Sequence, residues 1–142
     1  MIKKTFHYPK KNRLCLREDF QYLQRDSARY SAPSCLIYYR ASRINIPETR
    51  IAFSISKKMG NAVKRNRLKR ILKEYFRCSE FNTLGLDCLM VVNFKQKKFY
   101  TENPKEFEKW LIRDFGRGLQ KIAESSSVSL AVKHNNHKVI NL

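Results

Sequence analysis

Alternating apolar and polar residues predict three β-strands in this chain. In RIAFSIS (50–56) large apolar residues alternate with small or polar ones, which is typical of a strand buried on one face. The runs CLIYYRA (35–41) and DCLMVVNF (87–94) are rich in β-branched and aromatic residues and predict two further strands. A loop containing Pro47 joins strands 35–41 and 50–56, so we expect these two to form an antiparallel pair.

Three segments have the residue spacing of helices. The stretch 17–26 carries acids in its first turn and predicts a short helix. Residues 61–77 predict a longer helix, with a buried face of Leu68, Ile71, Leu72, Tyr75 and Phe76. The last helix begins with Asn103 as cap and Pro104 as first residue, and its buried side is Phe107, Leu111, Phe115, Leu119 and Ile122. Gly116 and Gly118 within this helix suggest close packing.

One domain followed by a tail is the organisation that length and composition predict. The chain has 142 residues, of which 42% are hydrophobic, and this supports one compact core. From Glu124 the sequence becomes serine-rich and then polar. We therefore expect a single domain at 1–123 and a mobile C-terminal tail at 124–142.

The net charge narrows the class of partner. Thirty Lys and Arg residues against 12 Asp and Glu give +18, which indicates a polyanion: RNA or DNA first, and an anionic membrane surface second. No apolar run approaches the roughly 20 residues of a spanning helix, and none near Met1 resembles a signal sequence. We expect a soluble, cytoplasmic protein that does not act in a membrane.

The cations concentrate on the helix predicted at 61–77. At about 100° per residue, its face opposite the apolar one carries Asn66, Arg70, Lys73 and Arg77, flanked by Arg67 and Lys69. Glu74 is the only acid between Lys57 and Arg77, so pairs within the helix cannot offset the repulsion. Such a stripe favours a phosphate-bearing partner.

A second candidate surface lies on the predicted sheet. In strand 50–56, Ile51, Phe53 and Ile55 face one way and should pack under the long helices, while Ala52, Ser54 and Ser56 face the other way. Strand 35–41 places Leu36, Tyr38 and Arg40 on one face. If the two faces adjoin, a shallow trough of Tyr38, Ser54 and cations results, walled by Phe20. Aromatic rings and cations hold single-stranded nucleic acid in this way, although ordinary core packing would also explain Phe20 and Tyr38.

The chain shows no pattern of a protein active site. Four cysteines occur without a CxxC pair, and His134 and His137 have no neighbouring ligands, so we expect reduced thiols, tail histidines and no metal site. There is neither a P-loop nor a nucleophile elbow. We therefore assign no catalytic residue.

Two blocks of sequence stand out, KNRLCLREDFQYL and SISKKMGNAVKRNRLKRILKEYF. Both resemble the protein subunit of bacterial ribonuclease P. The second block carries the family signature K-x-G-x-A-x-x-R-N-R-x-K-R, which is matched by Lys58, Gly60, Ala62, Arg65, Asn66, Arg67, Lys69 and Arg70. The resemblance covers about residues 10–124 and leaves the tail out.

The resemblance implies a fold and an activity. The fold is an α/β (α+β) sandwich, ribosomal-protein-like, with a small, mostly antiparallel sheet packed with helices. A left-handed βαβ crossover passes through the basic helix, against the usual rule, and the family fold can include one more short strand. The activity is endonucleolytic removal of the 5′ leader from precursor tRNA. The catalyst is implied to be an RNA subunit with bound Mg²⁺, and the protein is implied to assist this RNA. A complex of one protein with one RNA is implied as well.

The resemblance also implies two sets of site residues. Contact with the catalytic RNA falls to Lys58, Lys64, Arg65, Asn66, Arg67, Lys69, Arg70 and Lys73. The single-stranded leader of precursor tRNA is implied to bind in a cleft lined by Phe20, Tyr38, Ser54, Lys57, Lys95 and Lys97. Family members commonly place a second aromatic residue one helical turn after Phe20, where this chain has Gln24.

Two other functions remain open at the level of sequence. One is a ribosome-associated RNA-binding protein of similar fold with no part in cleavage. The other is a protein-only nuclease, against which the lack of clustered Asp and Glu argues, because metal-assisted phosphodiester hydrolysis needs oxygen ligands.

Overall fold

A computed structural model describes the backbone of residues 10–140 and the side chains of residues 10–125. The helices and strands are α1 (Arg17–Arg25), β1 (Ala28–Ser31), β2 (Cys35–Ala41), β3 (Arg50–Ser54), α2 (Ala62–Cys78), β4 (Leu86–Val92), α3 (Lys97–Glu102) and α4 (Pro104–Ile140). Short 3-10 turns stand at Lys10–Asn12, Lys57–Met59 and Phe94–Gln96.

The four strands form one mixed sheet in the order β1-β2-β4-β3. Strand β2 pairs antiparallel with β1 and with β4, whereas β3 pairs parallel with β4. The predicted antiparallel pair between 35–41 and 50–56 is therefore wrong. A parallel pair needs a long crossover; α2 is that crossover, and it brings β4 in between β2 and β3. The expected class, a small and mostly antiparallel α+β sheet packed with helices, is confirmed. The handedness of the crossover stays a prediction.

Two elements were not predicted from the pattern. Strand β1 is four residues long and mostly exposed, so backbone pairing with β2 defines it and no apolar alternation marks it. Helix α3 has six residues and buries one of them, Tyr100. Both are too short for a periodic signal to emerge.

The hydrophobic core lies between one face of the sheet and helices α2 and α4. The buried positions of α2 are Leu68, Leu72 and Phe76, and all five apolar residues predicted for α4 are buried. On β3, Ile51 is buried and Phe53 meets Phe115 of α4 edge to face, with ring centroids 5.7 Å apart. The predicted inward face of this strand is thereby confirmed.

Two glycines let α4 approach its neighbours. A Cβ atom at Gly118 would lie 2.7 Å from Ile37 Cδ1 and 2.8 Å from Tyr30 Cδ1. A Cβ atom at Gly116 would meet the hydroxyl of Tyr75. The close packing predicted at these positions is confirmed, and at Gly118 it is the sheet that the helix meets.

The backbone of α4 is helical through Ile140, whereas the sequence pattern led us to expect the helix to end near Glu124. Side chains are described only to residue 125, so His134 and His137 lie outside the described side chains. Helical backbone does not test mobility, and the mobile tail at 124–142 stays a prediction.

Candidate nucleic-acid interface

The face of the sheet turned away from α4 forms a shallow trough. Tyr38 of β2 and Ala52 of β3 both stand opposite Leu89 of β4, and Leu36 and Ser54 both stand opposite Val91. Side chains alternate along a strand, so these six point to the same side of the sheet. Ser54 is exposed and the other five are half-buried. We call this surface the sheet trough: Leu36, Tyr38, Ala52, Ser54, Leu89 and Val91.

The trough differs from its prediction in its floor. Tyr38 and Ser54 share the face as expected, but β4 lies between their strands. Leu89 and Val91 therefore form the middle of the trough, and sequence reasoning missed them. In the structure LDCLMVV does alternate, since residues 86, 88, 90 and 92 are buried and 89 and 91 are half-buried. A continuous apolar run hides this alternation.

Helix α1 borders the trough. It contacts β2 and β4, and its Asp19 is bonded to Arg50. Arg50 stands opposite Asp87 in the strand register. Each lies two residues before a trough residue of its own strand, Ala52 or Leu89, so both point to the trough side of the sheet. Phe20 follows Asp19 and is half-buried, while Gln24 is exposed. The helix thus lies on the expected side, with Phe20 available as a wall.

Arg40 was expected among the trough cations, but the structure gives it another role. Its guanidinium carbon lies 3.9 Å from the centroid of the Tyr22 ring, and its Nη1 donates to the Tyr22 carbonyl oxygen at 2.8 Å. The Tyr22 hydroxyl in turn donates to the carbonyl oxygen of Ala41 at 2.7 Å. Arg40 and Tyr22 therefore tie α1 to β2, so this arginine does not stand open in the trough.

A lysine-rich edge adjoins the trough. Strands β3 and β4 are parallel and end at the same edge, where the turns holding Lys57 and Lys95 contact each other. Both lysines are exposed, as is Lys97 at the start of α3. The turns are fixed by side-chain caps, since Ser56 Oγ accepts from the Lys58 backbone at 3.1 Å and Asn93 Oδ1 accepts from the Lys95 backbone at 3.1 Å.

This edge also carries an aromatic residue that the sequence analysis missed. Phe94 is 42% exposed, and the Nζ of Lys58 lies 4.6 Å from its ring centroid. A lysine over an aromatic face is a cation–π contact. Phe94 ends the run DCLMVVNF, which the sequence analysis treated only as a strand.

The predicted basic residues of α2 lie mostly on its exposed side. Asn61 caps the helix, with its Oδ1 accepting from the Lys64 backbone at 3.0 Å. The side chains of Lys64, Asn66, Arg67, Arg70 and Lys73 are exposed, while those of Arg65, Lys69 and Arg77 are half-buried. Lys58 is exposed just before the helix. Most of the candidate RNA contacts thus lie on the exposed side of α2 and on the turn before it.

Two of these arginines have partners within the chain. Arg67 donates from Nε and Nη2 to the two carboxylate oxygens of Glu108 on α4, at 2.6 and 3.0 Å. The hydrogen bond to Glu108 raises the pKa of Arg67, and Arg65 Nε donates to the Gly60 carbonyl oxygen at 3.2 Å. Glu108 thus offsets part of the repulsion that the acids of α2 alone could not. The Arg67 side chain is still 51% exposed.

The described side chains do not cluster as metal ligands. Among residues 10–125, no group of three or more His, Cys, Asp or Glu side chains could hold a metal ion. Asp19 and Asp87 do come close, but Arg50 lies between them and binds both. Within the same range, no helix is both long and apolar enough to cross a bilayer.

The fold and the basic crossover helix define a class of small α+β proteins, and comparison with known proteins identifies its family. The family model described as Ribonuclease P matches residues 8–116. The chain belongs to the ribonuclease P protein family.

Individual relatives agree with this assignment. The ribonuclease P protein component of Blochmanniella floridana is 34% identical over 98 residues, which cover 68% of this chain and 80% of that protein. The one from Dictyoglomus thermophilum is 39% identical over 72 residues, covering 51% of this chain and 58% of the relative. The RNase P protein structure from Thermotoga maritima superposes with a TM-score of 0.63 at 21% identity, covering 77% and 96% of the two chains, and shows the same fold.

Proposed function

We propose that this chain is the protein subunit of a ribonuclease P ribonucleoprotein, in which it assists removal of the 5′ leader from precursor tRNA. The observation that carries the proposal is the presence of two separate surfaces in a chain of this family. One is the exposed cationic face of α2, and the other is the half-buried trough with lysines at its edge. Two surfaces suit a protein that holds two RNA segments at once.

The face of α2 is suited to a folded RNA. Its cations stand on a rigid helix anchored by three fully buried side chains, so their spacing is fixed before binding. Fixed cations contact phosphates without reading the bases, and they release condensed counterions when they do so. We assign the catalytic RNA to this face. Arg67 binds it with Glu108 holding the guanidinium in place.

The sheet trough is suited to an extended single strand. Its floor is apolar, Tyr38 and Phe20 offer rings, and Lys57, Lys95 and Lys97 stand at one edge. Stacking of bases on rings combined with phosphate contacts binds single strands of any sequence. We assign the leader of precursor tRNA to this trough. Leu89 and Val91 give the bases an apolar surface between the two sides.

The chain's own chemical contribution is charge and position. With +18 in total, it lowers the repulsion between substrate and catalytic RNA. The described residues offer no set of oxygen ligands for Mg²⁺, so the proposal leaves the metal to RNA phosphates. Mg²⁺ bound there would activate the water that attacks the phosphodiester. We further propose one copy of the chain per catalytic RNA, acting in the cytoplasm.

Variants that separate the two surfaces test the proposal. Arg65→Ala and Arg70→Ala should weaken binding of the catalytic RNA in a filter-binding titration, whereas Phe20→Ala should leave it unchanged. Phe20→Ala should lower the affinity for precursor tRNA by about 5- to 150-fold, the range expected for the loss of one base–aromatic stack, and leave the affinity for mature tRNA unchanged. Arg117→Ala, on the exposed side of α4, is the matched control for charge.

Two results would contradict the proposal. Equal losses for precursor and mature tRNA in Phe20→Ala would remove the leader from the trough. Normal assembly of the α2 variants, or loss of assembly in Arg117→Ala as well, would remove the catalytic RNA from α2. Failure of the wild type to bind a bacterial ribonuclease P RNA would favour the ribosome-associated alternative.

A further inference from the structure

A buried ionic cluster joins α1 to the sheet. Arg50 of β3 is 6% exposed, and its guanidinium is bidentate to Asp87 of β4, with Nε–Oδ1 and Nη2–Oδ2 distances of 2.9 and 2.8 Å. The same guanidinium is bidentate to Asp19 of α1, with distances of 2.9 and 3.3 Å. Both carboxylates are completely buried. One arginine thus binds three elements together.

A second arginine completes the cluster. Arg43 donates from Nε to Asp19 Oδ1 at 2.9 Å and from its backbone N–H to Asp87 Oδ2 at 3.1 Å. The backbone N–H of Leu16, which caps α1, donates to Asp19 Oδ2 at 3.3 Å. Two carboxylates therefore face one buried and one half-buried guanidinium group, and the charges of the cluster balance. Removing one partner from such a cluster leaves an uncompensated buried charge, which is strongly unfavourable.

Helix α1 depends on this cluster because it has few other attachments. It is nine residues long and buries only Asp19 and Leu23. A helix this short is not stable in water without tertiary contacts. The pair Tyr22 and Arg40 holds it from the β2 side. Asp19 supplies its one fully buried polar contact.

We infer that Asp19, held by Arg50 and Arg43, is a positioning residue for leader binding, because it fixes the place and rotation of α1 and so of Phe20. The inference rests on the proposed function of the trough. Asp19 and Phe20 are adjacent, so their side chains leave the helix about 100° apart. When Asp19 points into the sheet, Phe20 is turned to one side. A helix that rotates or lifts would carry the ring away from the bases.

The protonation of Asp19 agrees with this role. Burial alone would raise the pKa of its carboxyl group, but hydrogen bonds from Arg43 and Arg50 outweigh burial and hold the pKa below its ordinary value. The carboxylate therefore stays ionised and bound to both arginines at neutral pH.

The test compares Asp19→Ala and the milder Asp19→Asn with Glu18→Ala. Glu18 is the neighbouring acid on α1 and is exposed, so its removal changes the net charge as Asp19→Ala does. None of these substitutions removes an atom of the bidentate pair between Arg50 and Asp87. If charge alone mattered, removing either acid would leave binding of precursor tRNA unchanged or slightly tighter. We expect both Asp19 variants to weaken it and Glu18→Ala not to.

A double-variant cycle with Phe20→Ala gives the decisive readout. If Asp19 acts through Phe20, the double variant should lose no more affinity for precursor tRNA than Phe20→Ala alone, about 5- to 150-fold. Hydrogen exchange of the free protein should show faster exchange in residues 17–25 of the Asp19 variants and unchanged exchange in β2, β4 and α2.

Each contrary outcome identifies which statement fails. Multiplicative losses in the double variant, or normal exchange in α1, would overturn the positioning role while leaving the trough intact. Unfolding of the whole sheet in both Asp19 variants would also overturn it, because the inference confines the loss to α1. An unaffected Phe20→Ala variant would instead refute the leader assignment itself, and exchange in α1 would still decide whether Asp19 holds the helix.

Discussion

The salt dependence of leader binding tests the lysine edge quantitatively. Lys57, Lys95 and Lys97 are exposed and follow the two parallel strands that end together at one side of the trough. Replacing each with Ala, singly and together, removes one or three candidate phosphate contacts. Phosphate contacts carry no base information, so leaders of different sequence should weaken alike.

The expected magnitude follows from counterion release. Each phosphate contact on a single strand contributes about 0.7 to the slope of log affinity against log salt. Three contacts contribute about 2.1, so between 50 and 200 mM salt the wild type should lose about 18-fold more affinity than the triple variant. Each single variant should account for about one third of the slope difference.

Fluorescence anisotropy of a labelled precursor tRNA, titrated at four salt concentrations, measures these slopes. Mature tRNA serves as the substrate control, since it lacks the leader. Lys105→Ala and Lys121→Ala, which remove exposed lysines from α4, are the matched variants for net charge. An unchanged slope in all three edge variants, or an equal flattening in the α4 controls, would show that these lysines are ordinary solvated surface.

Three further predictions concern the scaffold. Gly118→Ala should lower the free energy of unfolding, because the new methyl group meets buried Ile37 and overpacking costs about 1–3 kcal/mol, more than the gain in helix propensity of about 1 kcal/mol. Gly116→Ala should cost less, because its methyl group meets only the end of the Tyr75 side chain. Chemical denaturation of the two variants measures the difference. A thiol reagent should modify the exposed Cys15 and Cys78 quickly in the native protein and all four cysteines after unfolding. Burial raises the pKa of Cys35 to about 12 and also raises that of Cys88, so these two thiols should react slowly in the native protein. Fast modification of all four in the native protein would contradict the burial of Cys35 and Cys88. Since the folded pKa of Asp19 lies below its unfolded value of 3.8, ionisation stabilises the fold above that pH, and the stability difference between wild type and Asp19→Asn should shrink as the pH falls below it. A difference that stays constant in thermal melts down to pH 2.5 would show that the charge of Asp19 contributes nothing.

The elements that could be predicted from the sequence are those with long periodic signals. The described part of α4 buries all five residues that helical spacing selects, whereas α2 buries Leu68, Leu72 and Phe76 and leaves Ile71 and Tyr75 half-buried against the core. The spacing succeeds because a face that packs on a core must recur every three or four residues. The inward face of β3 follows in the same way from alternation. Once the buried face of α2 is known, the remaining residues of the helix define its basic side.

Pairing and local partners could not be predicted. Whether β3 lies beside β2 or beside β4 depends on the path of the crossover, and no residue pattern within β3 records it. The floor of the trough was missed for this reason. Arg40 and Arg67 were counted as open cations because Tyr22 and Glu108 come from other elements and approach only in the folded chain.

The buried cluster of Asp19, Arg50 and Asp87 could not be predicted from the sequence either. Arg50 opens a strand and Asp87 opens another, so in sequence each looks like a charge at a strand end. Only the parallel register of β3 and β4 places them opposite each other, and only the docking of α1 adds Asp19. Side chains distant in sequence thus form the most deeply buried polar contact of the site.

Cleavage of precursor tRNA tests the central claim most directly. The assay combines 5′-labelled precursor tRNA with a bacterial ribonuclease P RNA, with the purified chain, or with both, at a limiting Mg²⁺ concentration. We predict no cleavage by the chain alone, slow cleavage by the RNA alone, and release of the intact leader at a higher rate when both are present. Cleavage by the RNA-free chain that a single substitution in it abolishes, or an unchanged rate on adding the chain to the RNA, would contradict the account.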